Sequence, residues 1–248
     1  MNIAFIVAMP EEFRSVICHV GSPVSMRIGQ YKACSGTFAG HDIMVLQSGM
    51  GFDNAAKGAA TLIGVVRPDI VISAGFCGGI APDLGVGDVV VATRLAILTG
   101  GVVDEVQVEP AAVGRNFVAG QAASTNRVFG GLFISTPVVI SKAHIAAMLP
   151  DGAPHPVVEM ESAAIALIAA ENGIPFIGFR SVSDPADEEL GFSPDEFCDP
   201  QMRVRPRKVL LTVLRKPHII PQLFRLAGNS RIAAKNLSAA VRELLLLF

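Results

Sequence analysis

Asp69-Ile70-Val71-Ile72-Ser73-Ala74-Gly75-Phe76-Cys77-Gly78-Gly79 is the stretch on which the fold turns. Its first half is a short apolar run rich in β-branched residues and without polar alternation, the pattern of a strand covered on both faces. Its second half is rich in glycine, which lets backbone approach a ligand where open α/β sheets bind one, at the carboxyl end of a strand. A strand covered on both faces requires helices on both sides, so strands and helices should alternate around it. Further strands are expected at residues 3–8, 42–47, 88–92, 132–134 and 175–182. Helices are expected at 52–66, capped by Asp53 or Asn54, at 141–149, capped by Ser141, and at 160–172, stopped by Gly173. Residues 100–130, rich in Gly, Ala, Ser and Asn, read as a mobile loop that forms part of a lid. The expected fold is α/β: a single three-layer domain with a central mixed, largely parallel sheet flanked by helices, followed by a helical basic C-terminal extension. The division falls at residues 1–200 and 201–248.

With 248 residues, half of them apolar, the chain can bury a large core. The apolar start runs into Glu11 and Glu12 without a basic leader, and no stretch reaches the roughly 18 apolar residues of a membrane span, so a cytoplasmic protein is expected. Cys18, Cys34, Cys77 and Cys198 form no C-x-x-C pair, which argues against a zinc or redox site. Charge is unevenly spread: residues 201–248 hold ten Lys and Arg against Glu243 alone, a net of +9, and the rest holds ten against twenty-one acids, a net of −11. In that tail Leu237, Val241, Leu244 and Phe248 repeat at helical spacing. Two readings stay open: a helix docked on the core or on a second subunit, and a basic amphipathic helix resting on an anionic membrane. Nucleic-acid binding is disfavoured because stacking aromatics are nearly absent there.

The residues after each strand carry the candidate chemistry. Four such positions are Ala8-Met9-Pro10-Glu11-Glu12, Ser48-Gly49-Met50-Gly51, the glycine stretch above and Ser183-Asp184-Pro185-Ala186-Asp187; a fifth candidate, Val158-Glu159-Met160-Glu161, opens a helix that is otherwise wholly apolar. Gly49-Met50-Gly51 fails as a dinucleotide fingerprint, since Asn54 stands at the third glycine position. Glu159 and Glu161 suit a helix N-terminus. Glu161, however, precedes a wholly apolar face and so needs buried donors, a role sugar hydroxyls fill well. Asp184, oriented by Ser183, follows a buried strand, where desolvation raises a carboxyl toward the range of a general acid.

A thiol hydrolase is a rival, with Cys77 in a G-x-Cys-x-G elbow and Asp151 and His155 downstream. An elbow needs a helix next, which Pro82, Gly85 and Gly87 disfavour. A non-catalytic nucleoside-binding module is a second rival, with no need for both Glu12 and Asp184.

These five motifs, in this order and spacing, resemble the nucleoside phosphorylase and nucleosidase superfamily over residues 1 to about 200. They look closest to methylthioadenosine/S-adenosylhomocysteine nucleosidases. The resemblance implies an N-ribosidase without metal or nucleotide cofactor: Asp184 protonates the purine N7, Glu12 activates water, Glu161 holds the ribose hydroxyls and Met160 packs on the sugar. Val139 and Ile140 read adenine through their backbone, and Phe76 floors the pocket. Ser183, Gly78 and Ala8 complete the substrate-binding set. Ser73 and Phe76 stand where the superfamily's phosphorylases carry an Arg and a Ser for phosphate, which favours hydrolysis, and Arg180 reads as a structural ion-pair partner. A homodimer or higher homo-oligomer is implied.

The chain departs from the nucleosidases in two places. Arg94-Leu95-Ala96-Ile97-Leu98 replaces an aromatic segment that shapes the 5′-substituent pocket, and the basic tail extends the C-terminus. The tail and the Ser-Asp-Pro-Ala-Asp motif resemble hopanoid-associated phosphorylase-like proteins, which implies a lipid-linked adenosine, adenosylhopane, as substrate and peripheral membrane contact. Methylthioadenosine or S-adenosylhomocysteine cleavage, and phosphorolysis, are the alternatives.

Overall fold

The computed structural model describes residues 1–121, 127–150, 152–188, 197 and 206–248. In chain order the elements are β1 (Asn2–Val7), α1 (Pro10–Ile17), β2 (Gly21–Ile28), β3 (Tyr31–Phe38), β4 (His41–Gln47), α2 (Phe52–Val66), β5 (Ile70–Gly79), β6 (Val89–Thr99), β7 (Val102–Glu105), α3 (Ala112–Gly120), β8 (Val128–Ser135), α4 (Lys142–Ala146), β9 (Val157–Glu159), α5 (Ser162–Glu171), β10 (Phe176–Asp184), α6 (Pro206–Arg215) and α7 (Ile220–Leu245).

The strand repeat of two builds the layers. Ile3, Phe5 and Val7 of β1 join one core with Val45, Ile72, Phe179 and the inner face of α7. Ala4 and Ile6 join the opposite core, with Ala55, Ala59 and Leu62 of α2 and Ala164 and Ile165 of α5. Helices α1, α3 and α7 thus cover one side of the sheet, and α2 and α5 the other. α2 approaches β4 closely because residue 58 is glycine: a Cβ there would lie 2.8 Å from Ser48 Cβ.

Parallel pairing joins β4, β1, β5 and β10, and separately β6, β8 and β9. Antiparallel contacts of β10 with β6 and of β5 with β9 link the two sets, so β5, β10, β6, β8 and β9 close into a ring. β3 and β2 extend the sheet beyond β4, and β7 folds back on β6. The α/β fold with a mixed sheet flanked by helices is as expected; β2, β3, β7, β9 and the ring closure are additions.

Residues 100–130 depart from their expectation as a mobile lid loop. Their described part holds β7 and α3, and Phe117 of α3 is buried with its ring 5.5 Å from that of Phe179. The tail follows the docked reading: Leu237, Val241 and Leu244 are fully buried against the sheet, and Phe248 packs on the same core. Burying each such side chain contributes about 1.5–3 kcal/mol. This stripe is therefore not a membrane face. Among the described residues no helix is long and apolar enough to cross a membrane.

Candidate active site

Glu12 is the third residue of α1, the position from which a carboxylate folds back on the backbone before a helix. Its Oε2 accepts from Ala8 N and Met9 N, both at 2.8 Å, and its Oε1 accepts from Phe76 N of β5 at 2.8 Å. Gly75 makes room, since a Cβ there would stand 2.6 Å from Oε1. Burial raises the Glu12 carboxyl above its usual value, and Arg180 and the three N–H donors offset only part of that.

Arg180, from the middle of β10, is the hub. Its Nη2 lies 2.7 Å from Glu159 Oε2 and 3.6 Å from Glu161 Oε2, with Arg180 and Glu159 almost wholly enclosed. The two glutamates of the Glu-Met-Glu motif divide the work. Glu159 accepts from Ser135 Oγ and from Glu161 N and Ser162 N at 3.0 and 2.8 Å, so it caps α5. Burial pushes the Glu159 carboxyl up, but Arg180 and these donors outweigh it and its value is lowered. Glu161, besides its approach to Arg180, accepts from Gly51 N at 2.8 Å. Burial, then the nearby Glu159 and Glu12 charges, push it up to about 7.

Asp184 closes β10 opposite Gly78. A Cβ on Gly78 would lie 2.8 Å from Asp184 Oδ2 and 3.1 Å from Val158 Cγ1, so glycine admits both the carboxylate and the ring-closing strand. Ser183 Oγ donates to Asp184 Oδ1 at 2.8 Å, as expected. Burial, which the sequence suggested for Asp184, is not the whole of its environment: Lys142 Nζ lies 2.8 Å from its Oδ2. Phe76 and Gly78 are two residues apart on β5, about 7 Å at the strand rise. The carboxylates of residues 12, 161 and 184 therefore gather at one end of the strand ring.

Ala8 and Phe76 meet this cluster through backbone N–H groups, while the Phe76 ring packs into the core. Met160 is half-buried between the two glutamates. Val139 is exposed and Ile140 packs beside Ile80, both on the segment leading to Lys142. Lys142 and the Ser135–Glu159 contact escaped the sequence reading; a lysine in the first turn of a helix, where positive charge is disfavoured, was the available signal.

The thiol-hydrolase arrangement is absent among the described residues. Cys77 sits inside β5, with no helix after it, and burial pushes its thiol well above its usual value. His155 faces Asp83 and Gly130 O, and Asp151 lies outside the described residues.

The model of the phosphorylase superfamily matches residues 2–215. The chain belongs to that superfamily. A 5′-methylthioadenosine/S-adenosylhomocysteine nucleosidase of Listeria monocytogenes is 34% identical over 220 residues, covering 79% of this chain and 92% of the relative. One from Glaesserella parasuis is 30% identical, covering 86% and 98%. Among solved structures, the Neisseria meningitidis nucleosidase in complex with methylthio-immucillin-A aligns over 98% of both chains with a TM-score of 0.74 and 25% identity. The S. pneumoniae nucleosidase with a transition-state inhibitor gives 0.70 at 22% identity over 98% and 99%, a likeness of fold. Within the superfamily, this chain falls with the N-glycosyl-hydrolysing nucleosidases.

With Glu12, Glu159 and Glu161 around the single Arg180, the site carries more negative than positive charge, and stability should report it. Between Glu161's usual value of 4.5 and about 7, the folded state keeps a proton that the unfolded chain releases. The associated stability is complete below the lower value and is lost as pH rises toward the upper one. The melting temperature of the ligand-free protein is expected to fall from pH 5 to pH 8, and Glu161→Gln to flatten that slope. An unchanged slope in the variant would contradict the assignment.

Proposed function

We propose that the protein releases adenine from a 5′-modified adenosine by hydrolysis, with Asp184 on the base side, Glu12 activating the water and Glu161 holding the ribose hydroxyls. The observation that carries this is the gathering of those three carboxylates at the end of β5. Breaking the N-glycosidic bond leaves an oxocarbenium-like sugar, which negative charge stabilises, and a base that needs a proton. Water is the nucleophile in this reading because Arg180, the cation nearest Glu12, is already shared among Glu12, Glu159 and Glu161. A phosphate dianion would meet those carboxylates first. Residues 1–200 carry this chemistry, and residues 201–248 form the basic extension that serves the 5′ side of the substrate.

The substituent on the 5′ carbon is, in this proposal, a long apolar lipid, as in adenosylhopane. What supports it is a groove of about 790 Å³ between α1 and α7 that begins at Met9 and Phe76, whose N–H groups hold Glu12. Leu223, Leu226, Ala227 and Ala234 supply apolar walls, and Arg231 and Lys235 are charged. Its size is that of a pocket for a substantial ligand. Methylthioadenosine would leave most of it empty. Membrane contact at the inner face fits the same reading, through Leu211, Ile220 and Phe224 on α6 and α7, which are 52%, 36% and 76% exposed on a basic segment. A homodimer or higher assembly is proposed as well, in line with Val138 and Val139, exposed on the loop that leads to Lys142.

Adenine release from methylthioadenosine, S-adenosylhomocysteine and adenosines bearing alkyl chains of increasing length at the 5′ position, with and without phosphate, tests the proposal. The expected result is phosphate-independent release with KM falling as the chain lengthens. Ala227→Trp, filling the groove, should raise KM for the longest chain tenfold or more and leave methylthioadenosine turnover unchanged. Strict phosphate dependence would reject hydrolysis, and equal KM values across the series would reject the lipid arm.

A further inference from the structure

Lys142 is spent on one thing. Its side chain is only 6% exposed, and its Nζ faces Asp184 Oδ2 at 2.8 Å, Asp184 O at 3.2 Å and Pro185 O at 2.6 Å. Three protons thus meet three oxygens, all at the end of β10. The residue stands at the first position of the five-residue α4, where the helix offers a cation nothing, and burial costs a charge heavily unless it is paired. On its other oxygen, Asp184 receives the Ser183 hydroxyl. The Lys142 stem lies along β5, its Cδ 3.5 Å from where a Cβ on Gly78 would be.

This geometry bears on a difficulty in the chemistry. A carboxylate fixed between an ammonium and a hydroxyl has no proton of its own for a departing base. We propose that Lys142 is the positioning residue for leaving-group protonation: it holds Asp184 in place and supplies, through it, the proton that the base takes up. As the C1′–N9 bond breaks, its electron pair goes to the purine. A proton passes from Lys142 Nζ to Asp184 Oδ2, and the Asp184 carboxyl gives one proton to the purine N7. Lys142, left as the neutral amine, recovers its proton from solvent after the base departs, and the proton from the attacking water goes to Glu12. The proposal rests on the reading of Asp184 as the acid of a nucleoside hydrolase.

The test compares Lys142→Met, Lys142→Arg and the parent on methylthioadenosine and on the 5-methylthioriboside of 4-nitrophenol, whose leaving group departs without being protonated. Lys142→Met is expected to lose a hundredfold or more in kcat on the nucleoside, with KM within threefold, and less than threefold on the nitrophenyl riboside. Lys142→Arg should recover part of the nucleoside activity. Equal losses on both substrates, or none on either, would overturn the proposal. Should Lys142→Met fail to fold with Asp184 left unpaired, Lys142→Met/Asp184→Asn removes both charges, and its nucleoside activity should equal that of Asp184→Asn alone. Additive losses would count against the relay. If the parent enzyme frees no base from any nucleoside, the hydrolase reading itself fails, which is a separate outcome.

Discussion

Asp184→Asn is expected to cut kcat for adenine release by roughly a thousandfold, within the 10²–10⁴ that a positioned general acid contributes, while substrate still binds. The amide has the shape of the carboxyl, so the close fit against Gly78 is kept. It cannot pass on a proton, and the base must leave as an anion. Lys142 loses its charged partner but retains the carbonyl oxygens of residues 184 and 185 at 3.2 and 2.6 Å. The fold should therefore survive with a melting temperature lower by several degrees, as an order of 1–2 kcal/mol implies for a chain of this size. Calorimetric titration with methylthioadenosine separates the cases. An enzyme loses turnover and keeps affinity, whereas a non-catalytic binder has no turnover in the parent protein. Full activity in the variant would remove Asp184 from the chemistry.

The site was legible wherever a carboxylate followed a strand too apolar to be anything but buried. Glu12 and Asp184 stand at such points, Glu161 stands before a helix face too apolar to be exposed, and the structure brings the three together at the end of β5. α2 was legible to its end residues because Ala55, Ala59, Leu62 and Ile63 keep one buried face. The β2–β3 hairpin was not: β2 is exposed along nearly its whole length, so Gly21-Ser22-Pro23-Val24-Ser25-Met26-Arg27 shows no inward face to read. Ring closure was hidden for a related reason. It rests on the three-residue β9 pairing with Gly78 and Gly79, where the decisive feature is a missing side chain. The environment of Asp184 was misjudged because burial can be inferred from local sequence but the identity of a partner 42 positions away cannot. Val102 to Glu105 and α3 were taken as loop because small residues blur periodicity; Phe117, the one large apolar anchor in α3, holds it down.

Arg180→Met is the change expected to cost the most stability. The arginine is 3% exposed at its side chain and partly offsets the charge of a cluster of Glu12, Glu159 and Glu161 that is itself almost out of water. A buried pair of this kind contributes little net stability compared with apolar packing of the same volume. Removing one partner is different, because it strands the opposite charge, at about 3–5 kcal/mol. Here three carboxylates are stranded around one methionine. They respond by taking up protons: Glu12 and Glu161, already raised by burial, rise further when the attraction of Arg180 is lost, and Glu159 loses the largest influence lowering it. A carboxyl raised in the folded state stabilises below its unfolded value and loses that contribution as pH climbs. The variant should accordingly be least impaired near pH 5 and most impaired near pH 8, a steeper decline than in the parent protein. Denaturant unfolding at those two pH values measures it. Equal destabilisation at both would mean that Arg180 acts by packing rather than charge. The activity of whatever fraction folds should fall as well, since in the proposed reaction a protonated Glu12 cannot take a proton from water.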